Sequence, residues 1–182
     1  MDVIFLDIDY VLNGSQTKEH IGSIKGIDQK LLRLFAPLAH RPNTEIVLTS
    51  TWRLYWDKSL KDDPVKTWAG RSKKRYGRYL NAHFAEYGIE IFDKTEDFCW
   101  YRRCEEVQKY LDKHLEIENF IIFDDENFRW GDSHLYTHWV NTYELHNEPW
   151  DHGITREHIS IANDILNGKL LPPYKPNPND IF

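Results

Sequence analysis

Short apolar runs recur along the chain at the spacing expected of buried strands. Residues 3–6, 46–48 and 120–123 contain no polar side chain, which is typical of strands covered on both faces of a parallel sheet. Residues 89–92 and 139–143 mix apolar and polar positions and are two further strand candidates. The pattern predicts five strands.

Helical periodicity is found in the segments between these strands and in the segment after the last strand. Gly88 is a natural stop for one such segment, and Thr155 is a suitable N-cap for another. Alternating strands and helices at this spacing predict an α/β fold with a doubly wound, mostly parallel central sheet. The predicted helices cover residues 27–39, 76–87, 103–114 and 155–166.

Composition bounds the class of protein. The 182 residues fit one domain, predicted over residues 1–169, and a tail at 170–182 that holds four prolines. A net charge of −6 argues against a protein that coats nucleic acid or a membrane surface, because both are polyanions. No apolar run reaches the roughly 18 residues of a membrane span. With only Cys99 and Cys104 and no signal-peptide pattern, we expect a cytoplasmic protein without a membrane partner.

Positive charge is concentrated in residues 66–78. This segment holds six basic residues and no acidic one, so the rest of the chain carries a net charge of −12. Aromatic residues interleave with the charges, as expected of a surface that grips a single strand or a nucleotide base. A solvated surface loop is the alternative interpretation. The candidate substrate contacts in the segment are Lys73, Lys74 and Arg75.

Polar side chains follow three of the predicted strands at the point where each strand ends. The first leads into Asp-Ile-Asp at residues 7–9, the second into Thr-Ser-Thr-Trp-Arg at 49–53, and the third into Asp-Asp at 124–125. Ligands of open α/β sheets bind beyond the carboxyl ends of the strands. We therefore expect these side chains to share one crevice.

Carboxylates gathered in one crevice need a counter-charge. Two like charges about 4 Å apart repel by about 4 kcal/mol at an effective dielectric constant near 20, so the cluster must bind a cation or hold a proton. Ligands that are all oxygen favour a hard ion, Mg²⁺ first. One carboxylate can act as a nucleophile, and its neighbour two residues on can donate and accept a proton. The candidate metal ligands are Asp7, Asp9, Asp124 and Asp125.

These segments resemble the motifs of the haloacid dehalogenase superfamily. Residues 3–12 are similar to its first motif, an apolar strand followed by Asp-x-Asp, and the region of Ser50 is similar to the second. Arg103 is the best match to the third motif, and residues 120–125 resemble the fourth in its Asp-Asp form. Ser-Thr-Trp-Arg at 50–53 and Gly-Ile-Thr at 153–155 are similar to a small capless group found in RNA-repair contexts.

The resemblance implies a Rossmann-like fold without a large cap domain, and a phosphatase mechanism. It makes Asp7 the nucleophile that forms an aspartyl-phosphate and Asp9 the general acid and then the base. Ser50 would bind the phosphoryl oxygens, and Arg103 would offset their charge. Mg²⁺ would be held by the Asp7 carboxylate, the Asp9 carbonyl and Asp124. The second Asp of the first motif favours a phosphatase over a dehalogenase, which lacks it.

The residues assigned to the second and third motifs have alternatives. Arg102 is placed as well as Arg103 to supply the third-motif cation, and Thr49 or Thr51 can take the place of Ser50. Tyr10 stands where the family frequently has Gly.

The intervals between motifs leave room for helices, a strand and loops but not for a folded cap. An open site suits large substrates, so we expect a nucleotide or a nucleic-acid end phosphate as the substrate. Contacts to that substrate are predicted at Thr51, Trp52 and Arg53.

Two other classes of protein share some of these features. A receiver domain of the response-regulator type also carries acidic residues and Mg²⁺, but its acidic pair comes early and its phosphorylated Asp follows the third strand, unlike the order here. A catalytically silent domain that binds nucleic acid or a protein through residues 66–78 is the alternative to an enzyme.

Overall fold

The structure is a computed structural model that describes residues 1–62, 74–99, 101–130, 133–143 and 152–172. Five parallel strands form the central sheet in the order β5-β4-β1-β6-β7. The strands of the sheet are β1 (Asp2–Leu6), β4 (Thr44–Leu48), β5 (Ile91–Lys94), β6 (Asn119–Asp124) and β7 (Trp139–Asn141). A small antiparallel hairpin, β2 (His20–Ile21) with β3 (Ile24–Lys25), lies outside the sheet.

Strand β1 lies at the centre and pairs with β4 on one side and β6 on the other. The chain builds outward from β1 through β4 to β5 and then crosses over to β6 and β7. This reversal creates a crevice beyond the carboxyl ends of β1 and β6, the place where doubly wound sheets bind ligands. The order confirms the predicted doubly wound fold.

Both faces of the sheet are covered, which explains the unbroken apolar runs. Ile4 and Leu6 belong to the core on the face that carries α1, α2 and α4, whereas Val3 and Phe5 belong to the core under α3. Successive side chains of β1 point to opposite faces, so Val3 through Leu6 are all buried. The helices are α1 (Gln29–Ala39), α2 (Lys74–Glu86), α3 (Arg103–Lys113) and α4 (Arg156–Leu166).

The predicted helices are all present, and one strand starts later than predicted because a backbone N–H serves another element. Strand β5 begins at Ile91 rather than at residue 89. Gly88 ends the α2 region with φ of 67°, and the Ile89 N–H donates to the Phe84 carbonyl at 3.0 Å. That bond closes the end of α2, so the Ile89 N–H cannot pair with β4. The hairpin of β2 and β3 was not predicted, because two-residue strands are too short to show a period.

The described residues contain no separate cap. In the parts of the chain that the structure describes, every helix and strand belongs to the sheet, its flanking helices, the β2–β3 hairpin or short 3-10 turns. Within those same parts, no helix combines the length and the apolar composition that crossing a membrane requires. The division into a domain at 1–169 and a tail stays a prediction, since residues 173–182 lie outside the described ranges.

A buried capping box makes the start of α4 sensitive to acid. The Thr155 side chain accepts from the His158 N–H, and His158 Nδ1 accepts from the Thr155 N–H at 2.9 Å. Burial lowers the pKa of His158 to about 4. A depressed histidine pKa means that stability is lost as pH falls from about 6.5 to about 4. Gln also completes a capping box but does not titrate.

We therefore expect His158→Gln to flatten the loss of stability between pH 6.5 and 4. The wild type should lose up to about 3 kcal/mol more than the variant over this range. Urea unfolding of both proteins at several pH values measures the difference. Parallel curves would contradict the proposed role of the neutral His158 side chain.

Candidate active site

Three neighbouring strands deliver polar side chains to one point at the edge of the sheet. The backbone hydrogen bonds between the strands continue one residue past the ends of β1 and β4. The Asp7 N–H donates to the Phe123 carbonyl and the Thr49 N–H donates to the Leu6 carbonyl, each at 3.0 Å. Asp7 is 4% exposed and Asp124 is fully buried. Oxygen atoms of Asp7, Asp124 and Asp125 all lie within 4.8 Å of one another.

Arg103 is the cation at this cluster. Its Nη1 lies 2.6 Å from Asp124 Oδ2 and 3.2 Å from Asp7 Oδ1, and the guanidinium lies 4.1 Å from the centre of the Phe128 ring. Arg102 is exposed instead, where it pairs with Glu105 and lies over Phe98. Of the two candidates from the sequence, the structure places Arg103 against the carboxylates and turns Arg102 away.

The carboxylates of the cluster hold protons more tightly than usual. Burial raises the pKa of Asp7 to about 6, although Arg103 opposes the shift, and the neighbouring Asp9 adds to it. Burial raises the pKa of Asp124 well above its ordinary value, again against the pull of Arg103. Burial together with Asp7 raises the pKa of Asp125 to about 7. Burial acts to lower the pKa of Arg103, but Asp7 and Asp124 overcome it, so its pKa is raised.

The cluster is suited to a divalent cation. Its donors are all carboxylate oxygens, the ligands that hard cations such as Mg²⁺ prefer. Among the described residues, Arg103 pairs with Asp7 and Asp124, and the raised pKa values of the three carboxylates reflect burial and the repulsion that remains. A divalent ion would relieve that repulsion. The Asp9 side chain lies outside this group of three, and the predicted ligand from Asp9 is its backbone carbonyl.

Ser50 lies beside Asp7 at the end of β4. It is buried, its hydroxyl accepts from the Trp52 N–H at 3.3 Å, and a hydrogen bond from its side chain lowers the pKa of Asp7. Thr49 is also buried, and its Oγ1 has no hydrogen-bond partner among the described residues. Thr51 is exposed and lines the cleft. Of the three alternatives, Ser50 contacts Asp7.

Asp9 stands on the wall of the same cleft and is held through both carboxylate oxygens. Asn13 Nδ2 donates to Asp9 Oδ1 at 2.9 Å, and Trp52 Nε1 donates to Asp9 Oδ2 at 3.1 Å. The cleft, about 180 Å³ in volume, is open to solvent. It is lined by Asp7, Asp9, Tyr10, Thr51, Arg103, Asp125, Glu126 and Phe128.

The turn after β1 is tightly anchored. Tyr10 adopts φ of 54°, a left-handed conformation that glycine adopts more easily than a residue with a side chain. Its N–H donates to Asn13 Oδ1 at 2.9 Å, and its carbonyl accepts from Thr142 Oγ1 at 3.0 Å. Gly153 passes so close that a Cβ there would lie 2.7 Å from the Val11 carbonyl oxygen. These contacts fix the direction of Asp9.

The structure does not bring the Arg53 side chain to the cleft surface. Arg53 is 3% exposed, and its guanidinium contacts Glu106 at 2.8 Å, Asp97 at 3.1 Å and the Thr49 carbonyl. Burial lowers the pKa of Arg53, which the Glu106 carboxylate opposes. In this geometry Arg53 ties the end of β4 to α3, and the predicted substrate contact from it stays untested.

Two of the three predicted basic contacts lie in the described part of the chain, and Lys73 lies outside it. Lys74 is exposed at the first position of α2. Arg75 donates to the Tyr76 hydroxyl at 2.8 Å, and its guanidinium packs against Gly22 in the β2–β3 hairpin. The Tyr76 ring contacts Trp52 edge-on at 5.9 Å between ring centres. The start of α2 therefore adjoins the second motif.

Sequence reasoning missed two buried residues that organise the site. Asn13 holds Asp9, and Glu106 accepts from Arg53 and from the Phe98 N–H at 2.9 Å. Glu106 follows Arg103 by three positions, a spacing that puts both on one face of α3 and was the available signal. Nothing in the local pattern distinguished Asn13 from an ordinary loop residue.

Comparison with known families identifies the chain. It matches the HAD domain in Swiss Army Knife RNA repair proteins over residues 3–158. Searches among curated proteins and among solved structures gave no significant match. The matched region includes β1 from its second residue, Asp7, Ser50, Arg103 and β6, and the match confirms the resemblance stated from the motifs. The chain therefore belongs to the haloacid dehalogenase superfamily, in the family of HAD domains of Swiss Army Knife RNA repair proteins.

Proposed function

We propose that the chain is a Mg²⁺-dependent phosphomonoesterase that works through an aspartyl-phosphate on Asp7. The observation that carries this proposal is the group of buried Asp7 and Asp124 and half-buried Asp125, in which Arg103 contacts Asp7 and Asp124 and Ser50 adjoins Asp7. Membership of the superfamily supports a hydrolase-type, phosphoryl-transfer domain. A purely structural role would not require two buried carboxylates and a half-buried third to gather beside Arg103, because their repulsion destabilises the fold.

In the first half of the reaction, an Asp7 carboxylate oxygen attacks the phosphorus atom. The bond from phosphorus to the ester oxygen breaks as the new bond to Asp7 forms, and Asp9 gives its proton to the departing alkoxide. The Ser50 hydroxyl and the Arg103 guanidinium stand beside Asp7, where they can stabilise the charge of the transferring phosphoryl oxygens.

In the second half, Asp9 takes a proton from a water molecule that attacks the phosphorus. The bond between phosphorus and Asp7 then breaks, and inorganic phosphate leaves with the Asp7 carboxylate regenerated. Asp9 ends with the proton that it gave up in the first half, so the cycle is closed.

Asp7, Asp124 and Asp125 would hold the metal, with the Asp9 carbonyl as the further predicted ligand. When bound, Mg²⁺ supplies positive charge to the phosphoryl oxygens and to the crowded carboxylates. Arg103 remains within reach of both Asp7 and Asp124 and shares that role.

A nucleic-acid end phosphate is the substrate class we infer. The family is that of RNA-repair proteins, the cleft is open, and the cationic start of α2 adjoins the second motif. A nucleotide is the smaller alternative. A cytoplasmic location stays a prediction.

The decisive experiment is a hydrolysis screen with Mg²⁺ and with EDTA. The substrates are 4-nitrophenyl phosphate, nucleoside monophosphates and oligonucleotides with a 3′- or 5′-phosphate, and released inorganic phosphate is measured. We expect Mg²⁺-dependent release with the highest kcat/KM on an oligonucleotide end. Tight oligonucleotide binding without turnover on any substrate would favour the silent binding domain instead.

The cationic contacts have their own test. Replacing Lys74 and Arg75 by Gln should raise KM for a phosphorylated oligonucleotide about tenfold and change KM for 4-nitrophenyl phosphate little, because only the polyanion spans both charges. The matched control replaces two exposed lysines, Lys113 at the C-terminal end of α3 and Lys169 three residues after α4. Equal KM changes for both substrates would contradict a role in polyanion binding.

A further inference from the structure

The indole of Trp52 connects the second motif to Asp9. Its Nε1 donates to Asp9 Oδ2 at 3.1 Å, while its backbone N–H donates to Ser50 Oγ at 3.3 Å. Ser50 in turn hydrogen-bonds Asp7. A single residue thus touches both the hydroxyl beside the nucleophile candidate and the carboxylate beside the leaving group.

The Trp52 side chain has little freedom to move. It is 3% exposed and is held between Tyr76 and Tyr79 of α2, whose ring centres lie 5.9 and 6.0 Å away. Gly77 of α2 approaches the same region so closely that a Cβ there would lie 2.4 Å from the Tyr55 carbonyl oxygen. Helix α2 therefore fixes the indole.

Both oxygens of Asp9 accept a hydrogen bond, one from Asn13 and one from Trp52. Two donors on opposite oxygens fix the plane of the carboxylate, whereas one donor leaves it free to rotate. An indole N–H is donor-only, so it cannot take the proton that Asp9 exchanges with substrate and water.

We propose that Trp52 is a positioning residue that aims Asp9 at the leaving-group oxygen. This inference rests on the proposed function, and it gives Trp52 a role other than the substrate contact predicted from the sequence. Positioning of this kind matters most when the leaving group is a poor one, because an alkoxide needs the proton and a nitrophenolate hardly does.

Trp52→Phe tests the proposal, since Phe keeps an aromatic ring between Tyr76 and Tyr79 and removes the N–H. We expect kcat on an alkyl phosphate, such as a 3′-phosphorylated oligonucleotide, to fall about 10- to 100-fold, as expected for loss of a hydrogen bond to a charged group. On 4-nitrophenyl phosphate the loss should be no more than about threefold, since general-acid help adds little there.

Trp56→Phe is the matched control. Trp56 lies four residues after Trp52 and is buried to a similar degree. Its indole N–H donates to Asn81 at 2.8 Å rather than to Asp9. This variant loses the same kind of bond and should keep the wild-type ratio of the two rates. Equal losses on both substrates in Trp52→Phe, or the same pattern in Trp56→Phe, would overturn the positioning role.

A second readout is independent of turnover. The indole ¹H–¹⁵N resonance that disappears in Trp52→Phe should shift in Asp9→Asn, because an amide replaces the carboxyl group that accepts from the indole, whereas the Trp56 resonance should not shift. If the chemical shift of the Trp52 indole is the same in Asp9→Asn as in the wild type, the hydrogen bond between Trp52 and Asp9 is refuted. A wild type that hydrolyses neither substrate while the resonance does shift overturns the proposed function, and with it the catalytic use of the contact.

Discussion

Asp7→Asn is expected to abolish phosphate release while leaving the protein folded and more stable without metal. An amide oxygen is a poor nucleophile, and removing a nucleophile costs on the order of 10³-fold or more in kcat. Asn has the shape of Asp and can still accept from Ser50 and Arg103, so the change is confined to charge and nucleophilicity. Phosphate release and thermal unfolding are measured on the same preparations.

The gain in stability follows from the raised pKa of Asp7. Its pKa rises from 3.8 to about 6 on burial, so the folded chain binds the proton more tightly than the unfolded chain does. Stability therefore falls as pH rises from about 4 to about 6, and the full penalty is present above that range. At pH 7.5 in EDTA, Asp7→Asn should be more stable than the wild type by on the order of 2 kcal/mol. At pH 4 the two should converge.

Asp112→Asn is the control for Asp7→Asn, because Asp112 is exposed on α3, where it accepts a hydrogen bond from Gln108. It should change neither turnover nor the pH dependence of stability. An Asp7→Asn protein with wild-type turnover would refute the assignment of the nucleophile. A variant that is inactive but less stable than the wild type in EDTA would show that Asp7 is not strained by its neighbours.

The fold could be predicted because its signals are local. The runs that became the centres of β1, β4 and β6 are apolar throughout, as expected of strands buried on both faces. Each is followed by its polar residues, so the place where Asp7, Ser50 and Asp124 meet follows from the topology of a parallel sheet. Boundaries were harder to predict where a backbone group had a competing partner, as at Ile89.

The finer geometry of the site depends on contacts between distant parts of the chain. Arg102 and Arg103 differ by one position, which on a helix is a rotation of about 100°, and only the docking of α3 decides which one faces the carboxylates. Trp52 and Asp9 are 43 residues apart, and no local pattern joins them. The sequence around Arg53 likewise carries no sign that Glu106, 53 residues further on, pairs with its guanidinium.

Arg103→Gln is expected to have the second large effect, and it separates the two roles of this residue. Without Arg103, Asp7 and Asp124 lose their cation in a buried site, and breaking such a pair costs about 3–5 kcal/mol. In EDTA at pH 8 the variant should unfold at a markedly lower urea concentration than the wild type. At pH 5 the gap should narrow, because the carboxylates whose pKa values are raised can take up protons.

Divalent metal should restore much of the stability that Arg103→Gln loses, and it should do so without restoring turnover. A cation bound by Asp7, Asp124 and Asp125 replaces the lost charge for the carboxylates. It does not replace the guanidinium beside the phosphoryl group, so kcat should stay low, whereas Arg103→Lys, which keeps the charge, should recover part of it.

Arg102→Gln is the matched control, one position away on the same helix. Its pair with Glu105 is exposed and screened by solvent, so both stability and kcat should stay near wild type. If Arg102→Gln proved as damaging as Arg103→Gln, or if Mg²⁺ failed to stabilise the Arg103→Gln protein, the carboxylates would not be acting as one electrostatic unit. The contrast between adjacent arginines therefore tests whether the buried charge at Asp7 and Asp124 is arranged for a metal and a phosphoryl group.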